Sequence, residues 1–335
     1  MLRKIIKTGF ALASLVLFAL FIWLAISLYR LRAFDPGQAH IEIEKGMGAN
    51  SVARLLEERR IIGARLPFIV SYRLFFHPRK IKAGEYVLTS PLRAKEVLDI
   101  LVKGRVYLHP VTVPEGLTAG EIAPLLAPLL VEGEAGFIAA FHDPGPILSL
   151  DQEAENLEGY LFPETYSFPK NIASVAAVQA MVDQFRAVFH GAWTERGDSL
   201  RMKPRQIVTL ASLIEKETSV PEEKRLVSAV FHNRLRIGMK LDCDPTIIYA
   251  LKQEGLFNGN LTKRDLAFDS PYNTYRFSGL PPGPICNPGE EALEAAIHPA
   301  PEDYLYFVSR NDGRHHFSRT FAEHQNAVRR FQKRR

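Results

Sequence analysis

Glu215, near the middle of the chain, has sequence neighbours of the kind that acid catalysis needs. Glu215 and Glu217 end a mostly apolar, helix-forming segment, residues 207–214. A carboxyl held against an apolar wall ionises reluctantly, so its pKa rises and it can donate a proton near neutral pH. One protonated carboxyl in a groove is what cleavage of a glycosidic bond requires. A helix that ends in a solvated Glu-Lys-Glu run fits the segment equally well, because charge runs usually mark exposed turns.

The two acids are expected to differ in their surroundings. Glu217 follows Glu215 by two positions, so on a helix it projects from a different face. We therefore expect Glu215 to meet the apolar wall and Glu217 to stay solvated.

The first apolar segment indicates where such an acid would work. Residues 9–29 form a run of 21 positions without a charge, and about 20 apolar residues can cross the hydrocarbon core as a helix. The short basic leader, residues 1–8, favours a cytoplasmic N-terminus. A cleaved signal peptide is the alternative, but the run is longer than a usual signal core and no clean Ala-x-Ala site follows it. The sequence predicts an uncleaved, single-pass transmembrane helix.

Composition and charge narrow the function classes. The 335 residues are 24% charged and 47% apolar, which is typical of a folded protein. A net charge of +5 is compatible with an anionic polymer or a lipid surface. Nucleic acid is not expected for an exported chain, and the basic run at residues 329–335 is interpreted as a frayed, solvated terminus.

Cysteine usage argues against a disulfide scaffold and against a metal site. Cys243 and Cys286 are the only cysteines, and neither has the spacing of a metal ligand set. Whether they form a disulfide is left open, since this depends on their separation. We expect no metal and no cofactor.

Periodicity predicts an α+β fold with a small N-terminal module. After a loose linker come a strand, two helices and a second strand, followed by a helix that opens at Pro91 and closes at Gly104. The predicted strands cover 40–44 and 82–88, and the helices 51–60 and 66–76. This order is similar to a LysM-type module, which in other proteins binds N-acetylglucosamine polymers. A positioning domain without sugar affinity is the alternative reading of residues 38–105.

The remainder is expected to form a larger catalytic domain. Residues 106–150 are interpreted as a connecting region, and residues 151–335 as a mixed α+β domain. Within it, Asp244 is expected to cap a helix that ends at Gly255. Residues 279–285 contain three prolines and two glycines, so they cannot form a regular element. They predict a stiff loop with exposed backbone groups able to bind an extended ligand, or a rigid connector.

Taken together, the motifs resemble the endolytic murein transglycosylases (YceG-like, MltG-type). The resemblance covers essentially the whole chain, and Cys243 and Cys286 are departures from it. It is carried by residues 158–166, 209–218, 244–246, 272–275 and 279–284, with support from 233–238 and 304–308.

The resemblance implies that Glu215 is both catalytic acid and base. It would protonate the bridging oxygen of a MurNAc-β-1,4-GlcNAc bond and then take the proton of the MurNAc C6 hydroxyl, leaving a 1,6-anhydro end without water. The candidates for the substrate groove are Tyr272, Asn273, Tyr275, Gly279, Pro281, Pro282 and Gly283, with Asp244, Thr246 and Glu217 secondary.

The implied function is a lyase of the cytoplasmic (inner) membrane whose extracytoplasmic, periplasmic domain cuts nascent peptidoglycan strands and so ends their elongation. Cell-wall synthases are expected partners. A lysozyme-type hydrolase is one alternative, and it would need a water-positioning carboxylate such as Glu217 or Asp244. A non-enzymatic scaffold that binds glycan through residues 38–105 is another.

Overall fold

The chain folds into two compact units, seen in a computed structural model that describes residues 2–76, 78–189 and 191–332. The N-terminal unit comprises Met1–His109 with Ser167–Asn171, and the C-terminal unit comprises Pro110–Tyr166 with Ile172–Arg335. Both combine helices with short strands, which confirms the predicted α+β class.

The N-terminal unit contains the predicted strand-helix-helix-strand order. β1 and β2 pair antiparallel from Gln38 opposite Thr89 to Ile43 opposite Gly84. Alternate residues of both strands point into one core with the helices, because successive strand residues face opposite sides. The elements are α1 (Leu2–Tyr29), β1 (Gln38–Ile43), α2 (Ala49–Glu58), α3 (Arg65–Ser71), a π-helical turn (Tyr72–Phe76), β2 (Gly84–Thr89) and α4 (Ala94–Lys103).

The segment after α1 is fastened to this core, although the sequence predicted a loose linker. Arg32 and Leu92 exchange two backbone hydrogen bonds of 3.0 Å. Arg93 Nε also donates to the carbonyl oxygen of Tyr29 at 3.2 Å. The end of α1 therefore has a fixed position in the N-terminal unit.

Helix α1 is long and apolar enough to cross a membrane. Its stretch Lys7–Tyr29 has 23 residues and a mean hydropathy of 2.6. Large apolar side chains are exposed along it from Phe10 to Ile26, and Leu24 and Leu28 are the large ones that are buried. A signal sequence would meet the same criterion of length and composition.

The C-terminal unit is mainly helical. Strands β3 (Leu108–Thr112) and β4 (Thr165–Pro169), which pair with each other, each have residues in both units. The helices are α5 (Ala119–Leu126), α6 (Gly133–Phe141), α7 (Ser174–Val188), α8 (Gly191–Leu200), α9 (Pro204–Glu217), α10 (Pro221–Arg236), α11 (Asp244–Gln253), α12 (Glu290–Ile297) and α13 (Phe321–Phe331), with β5 (Tyr306–Ser309) and β6 (His315–Ser318) before α13.

Helix α9 is the central element of this unit. Its residues from Ile207 to Ile214 are all buried, and the hydroxyls of Thr209 and Ser212 donate to backbone carbonyls within the helix, as buried polar groups must. It packs on α8, α10, α11 and α12. Pro204 opens the helix at a position where its missing N–H costs nothing.

Two boundaries differ from the predicted ones. Residues 110–150, predicted as a connecting region, belong to the C-terminal unit, where α5 packs on α6 and α6 on α7. Arg329 and Arg330, predicted to lie in a frayed terminus, belong to α13. Residues 333–335 of that basic run lie outside the described residues.

Candidate active site

Glu215 lies in the last turn of α9 with its side chain only 8% exposed. Its Oε2 accepts a 3.2 Å hydrogen bond from the backbone N–H of Gly289. Gly289 immediately precedes α12, and the N-terminal end of a helix favours negative charge. Helix α9, which carries Glu215, and the N-terminal end of α12, which stabilises a negative charge, therefore meet at this carboxylate.

A buried lysine completes the surroundings of the acid. Nζ of Lys224 lies 3.3 Å from Oε2 and 3.5 Å from Oε1 of Glu215. It also lies 3.6 Å from Oε2 of Glu115 and 3.5 Å from Oε2 of Glu291. The Lys224 side chain is 4% exposed, so its charge is balanced mainly by these three carboxylates.

Opposing effects act on the pKa of Glu215, and their net result is a raised pKa. Burial is the largest, and the nearby Glu115 carboxylate acts in the same direction. The Lys224 ammonium and the Gly289 N–H act against them by stabilising the charged form. The site therefore holds a proton more tightly than an ordinary carboxyl, and it also has groups ready to stabilise the carboxylate left behind.

Two glycines allow the backbone to approach this acid. Gly116 has φ +76°, and a Cβ there would lie 3.5 Å from Cγ of Glu215. A Cβ on Gly289 would lie 2.0 Å from Oε1 of Glu115. A side chain at Gly289 would therefore displace Glu115, and one at Gly116 would be strained by the left-handed backbone.

Asn287 fixes these two backbone segments to each other. Its backbone pairs with Gly116 and Leu117 through two bonds of 2.9 Å. Its fully buried side chain accepts from the N–H of Leu161 and donates to the carbonyl of Leu117, both at 2.9 Å, and donates to Glu158 at 3.0 Å. One amide thus connects three chain segments, one of which leads to Gly289.

Glu158 is enclosed in the same network. Ala119 N–H donates to it at 3.1 Å, and its other donor is Asn287. No cation lies among the influences on it, and burial raises its pKa to about 8. Glu158 is therefore mostly a neutral acid at pH 7, and its 3% exposure leaves no face for substrate.

Glu217 does not stay solvated as predicted. It lines a separate cleft of about 370 Å³ together with Asp244, Tyr275, Arg234 and His315. Burial raises its pKa to about 7, against the effect of a hydrogen bond with the Cys243 thiol. The prediction that it faces away from the Glu215 wall agrees with this placement, but its carboxyl is also partly desolvated.

Asp244 and Tyr275, both groove candidates, meet in the cleft that Glu217 lines. Oη of Tyr275 donates to Oδ1 of Asp244 at 2.6 Å. Helix α11 begins at Asp244 and Cys243 occupies the N-cap position, so the predicted cap is displaced by one residue. Gly255, with φ +66°, follows the end of the helix as predicted.

Asn273 and Thr246, both groove candidates, are buried inside the C-terminal unit. Asn273 is fully buried, and its side-chain amide donates to the carbonyls of Leu266 and Phe268 at 3.1 and 2.7 Å. Thr246 is also fully buried, with its hydroxyl donating to the carbonyl of Cys243 at 2.7 Å. Both side chains bond the backbone of loops, and a role in binding substrate stays a prediction.

The proline-rich loop is irregular as predicted but packed and not open. Pro281 and Gly283 are buried, and Pro282 is exposed. Arg205 Nε donates to the Pro282 carbonyl at 2.8 Å, and Ser212 Oγ accepts from Ile285 N–H at 3.0 Å. The predicted exposed backbone groups are thus partly used within the protein.

The ends of this loop have different neighbours. Gly279 lines a cavity of about 710 Å³ that also includes Asn233, Arg236 and Glu302. Tyr272 lies beside Tyr249, with ring centroids 5.0 Å apart, and its hydroxyl would be 3.3 Å from a Cβ on Gly283. The predicted groove residues are therefore divided among several places.

The two cysteines are free thiols buried in the C-terminal unit. Sγ of Cys286 donates to the carbonyl of Ser212 at 3.4 Å. Among the described residues, no group of three or more His, Cys, Asp or Glu could hold a metal ion.

Sequence reasoning did not find the residues that surround Glu215. Lys224 and Glu291 belong to short charged runs at the starts of α10 and α12, and Glu115 belongs to a Pro-Glu-Gly turn. Such runs are usual at helix starts and turns, so they carry no distinct signal. Asn287 directly follows Cys286, and only its burial reveals its importance.

The arrangement can donate a proton from Glu215, stabilise the resulting carboxylate with a cation and a backbone N–H, and take a proton back. A buried acid surrounded in this way is suited to a reaction in which the same group serves as acid and then base.

Comparisons with known proteins agree with this chemistry. The model of the YceG-like family matches residues 41–330. Over 304 residues the chain is 32% identical to an endolytic murein transglycosylase of Bacillus subtilis, covering 86% of this chain and 83% of that one. Over 340 residues it is 28% identical to an endolytic murein transglycosylase of Streptococcus pneumoniae, covering 90% of this chain and 60% of the longer relative.

A solved structure has the same architecture. The crystal structure of a yceG-like protein from Listeria monocytogenes superposes with a TM-score of 0.59 at 29% identity. The match covers 87% of this chain and 98% of that one. With a family match over most of its length, the chain belongs to the YceG-like family.

Proposed function

We propose that this protein is a peptidoglycan lytic transglycosylase in which Glu215 is the single catalytic acid and base. The substrate class comes from relatives named endolytic murein transglycosylases. The role of Glu215 is supported by two opposing influences on its pKa. Burial raises the pKa, whereas the Lys224 ammonium and the Gly289 N–H lower it.

In the first step, protonated Glu215 donates to the oxygen that bridges MurNAc C1 and GlcNAc C4. The C1–O bond breaks as positive charge develops at C1, and the GlcNAc hydroxyl leaves. The carboxylate of Glu215 is then stabilised by Lys224 and by the Gly289 N–H. Burial makes both interactions stronger than they would be in water.

In the second step, the Glu215 carboxylate takes the proton of the MurNAc C6 hydroxyl. The C6 oxygen attacks C1 of its own ring and forms the 1,6-anhydro bond, which restores the acid. Because the nucleophile belongs to the substrate, its proximity replaces a positioned water and a second catalytic carboxylate.

A hydrolase is the second candidate, and Glu115 is the observation that favours it. Its carboxylate shares Lys224 with Glu215 and is 48% exposed, so it is a second acid with access to solvent. It could position a water molecule, which would leave a reducing end on the product.

We further propose that α1 spans the cytoplasmic membrane, with the N-terminus inside and the catalytic unit outside. The apolar length of α1 and the basic leader support this topology. Cleavage of nascent strands near the membrane, partnership with cell-wall synthases and sugar binding by the LysM-like module remain predictions of the same proposal.

The test is mass spectrometry of purified glycan strands after digestion with the full chain in detergent, with Glu215→Gln as the control. Products that end in 1,6-anhydro-MurNAc, lighter by one water than hydrolysis products, are expected from the parent only. Reducing ends would identify a hydrolase. Binding without cleavage would identify a scaffold.

A further inference from the structure

The N-terminal unit exposes a group of large apolar side chains close to α1. Leu66 lies at the start of α3, and Leu74 and Phe75 lie in the π-helical turn that continues it. Leu66 is 60% exposed, and Leu74 and Phe75 are each 64% exposed. We call these three residues, together with the exposed Arg73, Arg79 and Lys80, the juxtamembrane surface.

The packing of α1 determines the depth of this surface. Leu24 and Leu28 are buried within the N-terminal unit, in the last turns of the apolar stretch Lys7–Tyr29. Helix α1 contacts both α3 and α4. If α1 spans a bilayer, its last turns lie near the lipid headgroups. The elements that pack against those turns must then lie at the same depth.

An apolar groove lies at the same level. It has a volume of about 450 Å³ and a mainly apolar lining. Phe21, Leu24 and Leu28 contribute one face from α1, Phe75 and Phe76 contribute the other, and Lys95 lies at its edge. Nζ of Lys95 is 5.4 Å from the centroid of the Tyr29 ring. An acyl chain beside an anionic headgroup matches both the groove and the cation.

The segment that carries the surface is basic, and the acid Glu57 pairs with Arg65 at 3.9 Å beside its start. Residues 59–82 contain seven Arg and Lys residues and no Asp or Glu. Arg73, Arg79 and Lys80, which flank Phe75 in sequence, are exposed. Exposed apolar side chains among basic ones are the pattern of an element that lies in the interface of an anionic membrane.

We propose that the juxtamembrane surface docks on the anionic lipid headgroups of the membrane that α1 spans, with Leu74 and Phe75 inserted beside α1. This inference rests on the proposed spanning role of α1. Anchoring then has two parts, a spanning helix and an interfacial contact, and the second part fixes the orientation of the N-terminal unit on the membrane.

A depth measurement on the full chain tests the inference. The chain has two tryptophans, Trp23 in α1 and Trp193 in the C-terminal unit. In a background with Trp23→Phe and Trp193→Phe, Phe75→Trp places one fluorophore in the surface. The protein is reconstituted into nanodiscs of phosphatidylglycerol and phosphatidylcholine, with and without bromine-labelled acyl chains. Tyr107→Trp is the matched control, since Tyr107 is an exposed ring of the same unit.

Bromine quenching of the Phe75→Trp variant is expected to exceed that of the Tyr107→Trp variant by about twofold or more. Adding Arg73→Glu and Arg79→Glu is expected to lower this quenching in phosphatidylglycerol and to change it little in pure phosphatidylcholine. Equal quenching at the two positions would overturn the inference, and so would quenching that ignores the lipid charge. Absence of bromine quenching of Phe75→Trp in all lipids would also overturn it.

A parallel sample tests separately whether α1 spans the membrane and whether the juxtamembrane surface docks on it. The parent with only Trp193→Phe reports on Trp23 inside α1. Quenching of Trp23 without quenching of Phe75→Trp would reject the docking surface and keep the spanning helix. No quenching of either would reject both, and the digestion of glycan strands by the full chain tests the catalytic proposal independently.

Discussion

Glu215 and Glu217 end the same helix two residues apart, yet their charges meet different surroundings. Glu215 meets a buried lysine and a backbone N–H. Glu217 meets a thiol and the carboxylate of Asp244, with His315 and Arg234 as weaker influences. Burial raises the pKa of both carboxyls.

The difference is the reason why Glu215, and not Glu217, is proposed as the catalytic acid. A desolvated carboxyl holds its proton, but it can also give that proton up during a reaction only if the resulting charge is stabilised in place. Glu215 has a cation and an N–H for this, whereas the nearest partners of Glu217 provide little positive charge. The proposed assignment of roles follows from that contrast.

The largest expected effect separates these two acids directly. Glu215→Gln is expected to reduce cleavage by about 10²–10⁴-fold, because it removes the proposed general acid and base. Glu217→Gln, the matched control on the same helix end, is expected to retain activity within about tenfold. The measurement is the initial rate of anhydro-product formation at equal protein concentration. Equal losses of activity in the two variants would mean that Glu217 is needed for cleavage as much as Glu215.

Lys224 gives the next largest effect. Lys224→Met removes the cation that stabilises the Glu215 carboxylate, so the pKa of Glu215 should rise further. The basic limb of the pH–rate profile is then expected to move to higher pH, while the maximum rate falls about 100-fold. Lys224→Arg should restore much of the rate. A lower rate with an unmoved limb would reduce Lys224 to a structural role.

Glu115 is expected to have a smaller effect of opposite sign. Its carboxylate raises the pKa of Glu215, so Glu115→Gln should move the basic limb to lower pH and change the maximum rate by less than about tenfold. This variant also tests the hydrolase, because loss of a water-positioning carboxylate would abolish cleavage. Near-complete loss, with the fold intact by circular dichroism, would favour that alternative.

The sequence predicts the elements better than their meeting points. The helix of Glu215 and the order of elements in the N-terminal unit follow from local periodicity, which depends on neighbouring residues. The surroundings of Glu215 bring α9 together with Glu115 and Gly289, which are 100 and 74 positions away from Glu215 in sequence. No local pattern encodes such a contact.

The burial of two predicted groove residues was hidden from the sequence for a related reason. Asn273 and Thr246 are polar residues in loops, and such residues are often interpreted as ligand contacts. Their polar atoms instead bind backbone carbonyls inside the protein, as buried polar groups must. Only burial distinguishes the two cases, and burial depends on the whole fold.

A third acid, Glu158, extends the comparison with the smallest expected effect on cleavage. Its pKa is raised from 4.5 to about 8, so the folded state keeps a proton that the unfolded chain releases above about pH 4.3. Between these values the folded state binds more protons, and stability must fall as pH rises. Glu158→Gln cannot titrate, so this loss should disappear, by at most about 1.4 kcal/mol for each pH unit.

The measurement is the Tm of the C-terminal unit, followed by Trp193 fluorescence, at pH 5 and pH 8. The parent is expected to lose more Tm over this interval than Glu158→Gln, and cleavage at pH 6 should be nearly equal in both proteins. Glu217 titrates with the same sign in parent and variant, so the difference isolates Glu158. Parallel losses would mean that Asn287 and the Ala119 N–H hold Glu158 as a carboxylate. Glu158, which has only neutral donors, would then be charged like the Glu215 carboxylate. Lys224 alone would then distinguish the surroundings of Glu215 from those of Glu158.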